Sequence, residues 1–199
     1  YGGTLNFHGL KFPTPESTEI ILPALNFPRT SYMLSKIYGE ALCHASELPV
    51  TIIRPHNIYG PRMGFSHVIP QIIMRASKTE INGDLLIYSP SHKREFCYVE
   101  DAIKLILLLM KIETKDLITV NLGNVGEEIT MKNLSILILG IMDRKDINII
   151  NGINTEGSPE RRIPDISQLN YFADGYSGGT PGITFFVYRE LLDFLENWL

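Results

Sequence analysis

The sequence lacks the features that would mark a secreted, metal-binding or membrane protein. It has only two cysteines, Cys43 and Cys97, which form neither a disulfide framework nor a metal-binding spacing. We therefore expect a reducing compartment, the cytoplasm, in which both thiols are buried and unreactive. The longest apolar run, residues 105–110, is far shorter than the roughly 20 residues of a membrane-spanning helix, so no membrane partner is expected.

An excess of positive charge is also absent. The chain has 18 lysines and arginines against 22 aspartates and glutamates, which gives a formal net charge of -4 at pH 7. This balance argues against a general nucleic-acid binder but allows a local arginine cluster that holds phosphate. With 199 residues, 44% of them hydrophobic, the chain can form one domain with a sizeable core, or one domain and part of another.

The sequence does contain an alternation of helical and strand patterns. A helix is predicted over residues 32 to about 46, and the β-branched apolar segment 49–55 is typical of a strand buried on both faces. Because helix followed by buried strand is the order found in βαβ folds, the predicted fold class is α/β.

The same alternation continues to the end of the chain. Further strands are predicted at 85–88, 94–99, 119–122 and 148–150, and further helices at 68–77, 102–111, 131–142 and 185–199. Glu100 and Asp101 are expected to cap the third helix and Thr130 the fourth. Residues 151–182 are rich in glycine, proline and serine and are expected to be mostly loop.

The segment Tyr32-Met33-Leu34-Ser35-Lys36 carries the most specific chemistry. On a helix, Tyr32 and Lys36 are four residues apart and lie on one face. A lysine ammonium favours the phenolate form of a neighbouring tyrosine, so the pair is suited to proton transfer. The spacing also fits a surface lysine beside a half-buried tyrosine, and by itself it leaves both interpretations open.

Two more motifs follow in order. Arg54-Pro-His-Asn57-Ile-Tyr-Gly-Pro61 begins at the carboxyl end of the predicted strand 49–55, where open α/β sheets bind ligands, and Arg94-Glu-Phe-Cys-Tyr-Val-Glu-Asp101 comes later. Together with the tyrosine–lysine pair, this ordered set resembles the extended short-chain dehydrogenase/reductase family, in particular its NAD-dependent nucleotide-sugar epimerases and dehydratases. The resemblance implies the C-terminal part of a Rossmann-type parallel sheet plus a small α/β substrate-binding domain.

The resemblance also implies catalytic and cofactor roles. Tyr32 would be the base that takes a proton from a sugar hydroxyl while hydride moves from the same carbon to NAD. Lys36 would bind the nicotinamide ribose, and Pro55 and His56 would line the nicotinamide end. The predicted cofactor is NAD, and the reaction would pass through a transient 4-keto sugar.

Substrate contacts are implied at seven positions. Asn57 would contact the diphosphate or the sugar, and Arg94 would bind the diphosphate. One of the pair Arg161 and Arg162 would supply a second phosphate contact, with the choice left open. His67 would contact substrate, or is simply a polar residue before a helix. The remaining two, Leu86 and Ile87, would pack against the base of a UDP-, dTDP- or GDP-linked sugar, although as strand-core residues they need no such role.

Several family features have no counterpart in the sequence. The glycine-rich loop that cradles the NAD pyrophosphate is absent, so we expect a C-terminal part of a longer enzyme, inactive by itself. The resemblance assigns residues 1–60 to the NAD-binding domain, with parts of 94–122 returning to it, and 61–199 mainly to the substrate domain. It also implies a homodimer for the intact protein.

Two alternatives stay open. The segment Arg161-Arg162-Ile-Pro164-Asp165 is similar to that of nucleotide-sugar decarboxylases of the UDP-glucuronate type. Since most of the NAD site is missing, the chain could instead be a non-catalytic remnant or a module that only binds a sugar nucleotide.

Overall fold

The computed structural model describes residues 11–124 and 128–177, and of residues 174–177 only the backbone. The predicted helix over 185–199 lies outside the described residues. The helices of the described part are α1 (Thr30–Ala45), α2 (Val68–Lys78), α3 (Val99–Leu109), α4 (Met131–Ile141) and α5 (Ser167–Ser177). The strands are β1 (Thr51–Pro55), β2 (Ile58–Tyr59), β3 (Asp84–Ile87), β4 (Lys93–Arg94), β5 (Cys97–Tyr98), β6 (Ile118–Leu122), β7 (Ile129–Thr130), β8 (Asn148–Asn151) and β9 (Arg161–Arg162).

One core is built around the parallel pair of β1 and β6. Thr51 lies opposite Ile118 and Pro55 opposite Leu122, so both strands end at the same edge. The β-branched residues of these strands favour the extended conformation. Helix α5 packs against β6 and α3, and α3 packs against β1. Leu105, Leu109 and Leu169 lie in this core and are nearly inaccessible to solvent.

A second core joins α2, β3, α4 and β8. Strands β3 and β8 pair in parallel, with Asp84 opposite Asn148, while α2 and α4 pack on each other and on β3. Ile69, Ile73 and Ile138 form the centre of this core and are at most 1% exposed. Helical spacing of these isoleucines places them on the buried faces of α2 and α4. The α/β fold class predicted from the sequence is confirmed, with parallel strands in both cores.

The helix boundaries agree with the sequence prediction at Thr130 and differ at the third helix. Thr130 is the N-cap of α4, and its hydroxyl accepts a hydrogen bond from the Asn133 backbone N–H at 3.1 Å. Helix α3 instead begins at Val99 after Tyr98, which gives no side-chain cap. The predicted capping role of Glu100 and Asp101 is therefore wrong, and both lie inside the first turn, where the helix dipole favours negative charge.

Two other sequence predictions are also wrong. The expected single strand 94–99 is split into β4 and β5, because β4 pairs with β7 and β9 whereas β5 pairs with β2. Residues 151–182 are expected to be mostly loop, but their described part, up to residue 177, contains β9 and α5; residues 178–182 lie outside the described ranges. These elements are short and depend on partners far away in the sequence, so local composition does not indicate them. Within residues 11–124 and 128–177, no helix is both long and apolar enough to cross a bilayer.

Candidate functional site

A cleft of about 940 Å³ lies between the start of α1, the loop after β1, the start of α2 and the segment 155–162. Eight of the eleven site residues predicted from the sequence line it, namely Tyr32, Lys36, Pro55, Asn57, His67, Ile87, Arg94 and Arg162. Residues His56, Leu86 and Arg161 are not among its lining residues. The structure thus brings together side chains that are more than a hundred positions apart in the sequence.

Tyr32 and Lys36 lie on one face of α1, as their spacing predicts. The Lys36 Nζ atom is 5.4 Å from the centroid of the Tyr32 ring. The tyrosine is 53% exposed and lines the cleft, so its hydroxyl is accessible to a ligand there. Ser35, next along the helix, donates its hydroxyl to the Tyr32 carbonyl at 2.7 Å instead of facing the ring.

Asn57 connects three parts of the cleft wall. It follows β1 with a φ of 44°, a left-handed conformation that asparagine tolerates better than most residues. Its Nδ2 donates to the Glu95 carbonyl at 2.6 Å, and its Oδ1 accepts from Arg162 Nη1 at 3.1 Å. Asn57 therefore orients the guanidinium of Arg162 across the cleft.

His56, directly after β1, lines a smaller cavity of about 90 Å³ instead of the cleft. Its Nε2 lies 3.3 Å from Asn121 Oδ1. Because Asn121 Nδ2 donates to the carbonyls of Thr14 and Asp165, Oδ1 is the acceptor and His56 Nε2 carries the proton. Burial is the main cause that lowers the pKa of His56 to about 4, so the ring is neutral at neutral pH.

Arg94 lies in the cleft wall and is only 8% exposed. Its Nη2 donates to the Pro159 carbonyl at 2.6 Å and to Ser158 Oγ at 3.0 Å, and its Nη1 donates to the carbonyls of Lys93 and Glu160. Burial, followed by the charges of nearby arginines, lowers the pKa of Arg94 to about 10. Arg94 is therefore still a cation at neutral pH, and it also fastens the segment 158–160 to β4.

The neighbouring arginines of β9 point to different places. Arg161 forms a bidentate ion pair with Glu128 and stacks its guanidinium 5.0 Å from the Phe12 ring centroid. Arg162 lines the cleft, and burial together with the charge of Arg29 lowers its pKa. Successive side chains of a strand point to opposite sides, which explains why Arg161 and Arg162 have different surroundings. Of the two arginines, Arg162 is the one that lines the cleft.

Alternation also separates Leu86 from Ile87 on β3. Ile87 is 2% exposed and lines the cleft, whereas Leu86 is 36% exposed and packs near Gly152. His67 precedes α2 as its N-cap residue without a side-chain capping bond, and it lines the cleft. Of the apolar pair predicted to contact a base, Ile87 is thus the member at the cleft.

A family model described as "NAD dependent epimerase/dehydratase family" matches residues 4–123, more than half of the chain. The chain belongs to this family. The match covers Tyr32, Lys36, Asn57 and Arg94, the positions on which the sequence resemblance was based.

Curated members of the epimerase/dehydratase family align with large parts of the chain. It is 26% identical over 170 residues to UDP-D-apiose/UDP-D-xylose synthase 1 of Arabidopsis thaliana, covering 78% of the chain and 42% of that protein. It is 35% identical over 123 residues to UDP-N-acetyl-alpha-D-glucosaminuronate decarboxylase of Bacillus cytotoxicus, covering 58% of the chain and 37% of that protein. The chain thus spans less than half the length of these two relatives.

Solved structures of this family share the fold. A UDP-glucose 4-epimerase from Thermotoga maritima, solved with UDP-glucose, superposes with a TM-score of 0.71 at 24% identity over 98% of the chain and 60% of that structure. A UDP-N-acetylglucosamine 4-epimerase from Methanobrevibacter ruminantium M1 gives a TM-score of 0.70 at 19% identity over 98% of the chain and 58% of that structure. The described part of the chain therefore has the fold of the epimerases.

The cleft of this family member also contains residues that the sequence motifs did not indicate. Arg29, the N-cap residue of α1, has a φ of 70°, and its position beside the Tyr32 segment could have drawn attention to it. Arg75 of α2 and Ser158 contribute through tertiary contacts alone, and no local pattern marks them. The buried His92, in the turn before β4, belongs to the same group.

The charge of the cleft is of one sign. Six of its lining residues are cations, namely Arg29, Lys36, Arg54, Arg75, Arg94 and Arg162, and within the described ranges no lining residue is an aspartate or glutamate. Arg54 is neutralised by an ion pair with Glu40 at 2.7 Å. A chain with a net charge of -4 has therefore concentrated positive charge at this one cleft, which suits an anionic ligand.

Proposed function

We propose that the chain forms the nucleotide-sugar half of an NAD-dependent epimerase or dehydratase. The observation that carries this proposal is the cationic cleft that has the Tyr32–Lys36 pair at its edge. Guanidinium groups bind phosphate oxygens with strong, charge-assisted hydrogen bonds. A diphosphate held by Arg162 and Arg94 would leave its sugar beside the tyrosine hydroxyl. The substrate would be a UDP-, dTDP- or GDP-linked sugar.

The residues present also fit one end of NAD. Lys36 carries a donor-only ammonium beside the exposed Tyr32 hydroxyl, and Pro55 adds an apolar surface at the end of β1. These groups would hold the nicotinamide ribose and its ring. When bound, NAD supplies the acceptance and return of hydride.

The chain's own residues would move the proton and hold the substrate. Tyr32 would take the proton from the sugar hydroxyl once the two oxygens are about 2.6–3.2 Å apart. Lys36 would favour, by its positive charge, the phenolate form of Tyr32, which is the form that can accept this proton. Arg162, oriented by Asn57, would fix the diphosphate so that the oxidised carbon and its 4-keto group stay beside Tyr32.

A decarboxylase is the second candidate function. This function is favoured by the 35% identity to the Bacillus cytotoxicus decarboxylase, which exceeds the 26% identity to the Arabidopsis synthase. The alignment with the decarboxylase covers less of the chain than the alignment with the synthase. A 4-keto sugar that carries a carboxylate at the next carbon loses carbon dioxide readily. The same tyrosine and arginines would therefore serve both reactions.

The domain division, the assembly and the location belong to the same proposal. The pairing of β6 with β1 supports one domain formed by residues 1–60 with parts of 94–122. The core of α2, β3, α4 and β8 supports a second domain formed mainly by residues 61–199, with α5 packing on the first core. Tyr38 and Leu42 are 66% and 53% exposed on one face of α1, which supports a homodimer through this helix. A cytoplasmic location would agree with two free cysteines.

Incubation with nucleotide sugars tests the function directly. The full natural protein is mixed with NAD and UDP-glucose, dTDP-glucose or UDP-glucuronate, and products are followed by NMR. An epimerised sugar or a 4-keto-6-deoxy sugar would support the main proposal, and release of carbon dioxide would support the second. Binding without turnover, with Tyr32→Phe equal to wild type, would indicate a binding module. No binding of any nucleotide sugar would overturn the proposal.

A further inference from the structure

A largely buried ion pair joins the helix of the tyrosine–lysine pair to strand β1. The Arg54 guanidinium donates from Nε to Glu40 Oε1 at 2.8 Å and from Nη2 to Glu40 Oε2 at 2.7 Å. The side chains of Arg54 and Glu40 are 17% and 11% exposed. Two parallel hydrogen bonds from a planar guanidinium hold a carboxylate firmly and in one orientation. Both carboxylate oxygens of Glu40 are therefore engaged by one partner.

Glu40 is also the acidic neighbour of Lys36 on α1. The two residues are four positions apart on the helix, so their side chains lie on the same face. A lysine and a glutamate at this spacing attract each other. Among the residues that the structure describes, Lys36 nevertheless has no ion-pair partner, and its Nζ lies 5.4 Å from the centroid of the Tyr32 ring. The ammonium thus contacts the tyrosine one turn before it and not the glutamate one turn after it.

Arg54 is held in place by contacts other than the one to Glu40. It lies in β1 opposite Asn121 of β6, and its Nη1 donates to the Glu16 carbonyl at 3.0 Å. Glu16 Oε1 in turn accepts from the Asn121 N–H at 2.8 Å, which fastens Glu16 to the sheet. Because the sheet fixes the guanidinium from two directions, Arg54 is a stationary partner for the Glu40 carboxylate.

The other charges around Tyr32 and Lys36 are positive. No aspartate or glutamate of the described ranges lines the cleft. Besides Arg54, the other cationic or basic residues that line it are Arg29, Arg75, Arg94, Arg162, His67 and His92. Of these, Arg162 of β9 interacts electrostatically with Tyr32. A Glu40 carboxylate released from Arg54 would therefore bring a negative charge to a group of residues that has none.

We propose that Arg54 is a positioning residue for proton transfer, because it occupies the Glu40 carboxylate and so leaves Lys36 facing Tyr32. Without Arg54, the freed carboxylate would attract Lys36, and their ion pair would draw positive charge away from the tyrosine. The phenolate form of Tyr32, which accepts the proton, would then form at higher pH than in wild type. This inference rests on the proposed function, since it concerns how the tyrosine acts as the base.

The pH dependence of turnover tests this role on the full natural protein. In Arg54→Met the rise of turnover with pH should lie about 0.5–1 pH unit higher than in wild type, a part of the roughly one to three units that a close opposite charge contributes. On this rise, turnover at a given pH should fall about threefold to tenfold. The double variant Arg54→Met with Glu40→Met lacks the carboxylate as well, so its rise should lie within about 0.2 unit of wild type.

A merely structural role of the ion pair predicts a different pattern. Loss of a brace between α1 and β1 would leave the double variant at least as impaired as Arg54→Met, whereas release of Glu40 predicts rescue. Arg144→Met is the matched control, because Arg144 pairs with Asp146 at 3.0 Å and donates to the Ala76 carbonyl but does not line the cleft. This control should lose stability without any shift of the pH dependence.

A crystal structure of Arg54→Met gives a readout that needs no activity. The Lys36 Nζ atom should lie within about 4 Å of a Glu40 carboxylate oxygen, the distance of an ion pair. In the double variant Lys36 should face the Tyr32 ring as in wild type. If Arg54→Met does not fold, Arg54→Gln makes the same comparisons, because its amide can still donate to Glu40 but carries no charge.

Other outcomes overturn the inference in distinguishable ways. If folded Arg54→Met or Arg54→Gln kept the wild-type pH dependence, or if the double variant shared the shifted one, the role of Arg54 would be overturned while the proposed function stood. A crystal structure in which Lys36 of the single variant still faced Tyr32 would overturn it as well. If wild type turned over no nucleotide sugar, the proposed function would fail, and the crystal structure would still decide whether Arg54 keeps Glu40 from Lys36.

Discussion

Replacing Arg94 with methionine should destabilise the fold as well as weaken ligand binding. Two of its hydrogen bonds, to the Pro159 carbonyl at 2.6 Å and to Ser158 Oγ at 3.0 Å, join segments distant in the sequence. Hydrogen bonds from a charged donor contribute about 1.5–3 kcal/mol each. We use the low end because burying the guanidinium has a cost of its own, seen in its lowered pKa. Methionine keeps the aliphatic stem, so the expected loss is about 3 kcal/mol.

Thermal unfolding followed by circular dichroism measures this loss. For a domain of this size 1 kcal/mol corresponds to about 2–4 °C, so the melting temperature should fall by roughly 6–12 °C. Lys93→Met, at the exposed neighbouring position of β4, is the control and should change stability by less than about 0.5 kcal/mol. If Arg94→Met melted within about 2 °C of that control, the structural role of the guanidinium would be refuted.

Three further predictions concern other residues. Tyr32→Phe should lower turnover by about 10²- to 10⁴-fold with nearly unchanged substrate affinity. The reason is that the exposed hydroxyl is needed for proton transfer and not for folding. Steady-state kinetics measure the turnover and calorimetry measures the affinity. The pKa of His56 is lowered from 6.5 to about 4, so the unfolded chain binds the proton more tightly. The stabilising contribution of His56 should therefore be complete above pH 6.5 and fall as the pH drops toward 4. In urea unfolding, the free energy of unfolding of His56→Gln should depend less on pH over this range than that of wild type. Gly60→Ala should cost about 1–3 kcal/mol in urea unfolding, because a Cβ there would lie 2.4 Å from Val99 Cγ1.

Each of these predictions has a result that would contradict it. Wild-type turnover in Tyr32→Phe would exclude the tyrosine as the base. An equal loss of stability with falling pH in wild type and His56→Gln would assign that loss to other groups. Gly140→Ala, in a helix where an added Cβ meets nothing within 4 Å, is the control for Gly60→Ala and should be neutral or slightly stabilising. Equal effects at the two glycines would contradict the steric explanation.

The sequence was a reliable guide where a single element carries the information. The pair Tyr32 and Lys36 is local, since four residues on one helix bring the ammonium beside the ring whatever else the fold does. The N-cap at Thr130 and the parallel strand over Thr51–Pro55 are equally local, because a hydroxyl before a helix and a β-branched run suffice to predict them.

The sequence was a poor guide where pairing partners decide. The segment 94–99 has the composition of one strand, yet its two halves hydrogen-bond to different strands. The residues 151–182 contain β9 and α5, although glycine, proline and serine suggested loop. In both regions the decisive contacts join positions far apart in the chain, and no local pattern records them.

By itself, the sequence determined the α/β class, the helix that carries Tyr32 and Lys36, and the ordered motifs of the epimerase/dehydratase family. Only the tertiary structure decided that Arg162 lines the cleft while Arg161 pairs with Glu128, and that His92 is buried there without a partner. The physical reason is that periodicity and side-chain chemistry act over a few residues. A cleft is formed by segments that meet only when the chain packs.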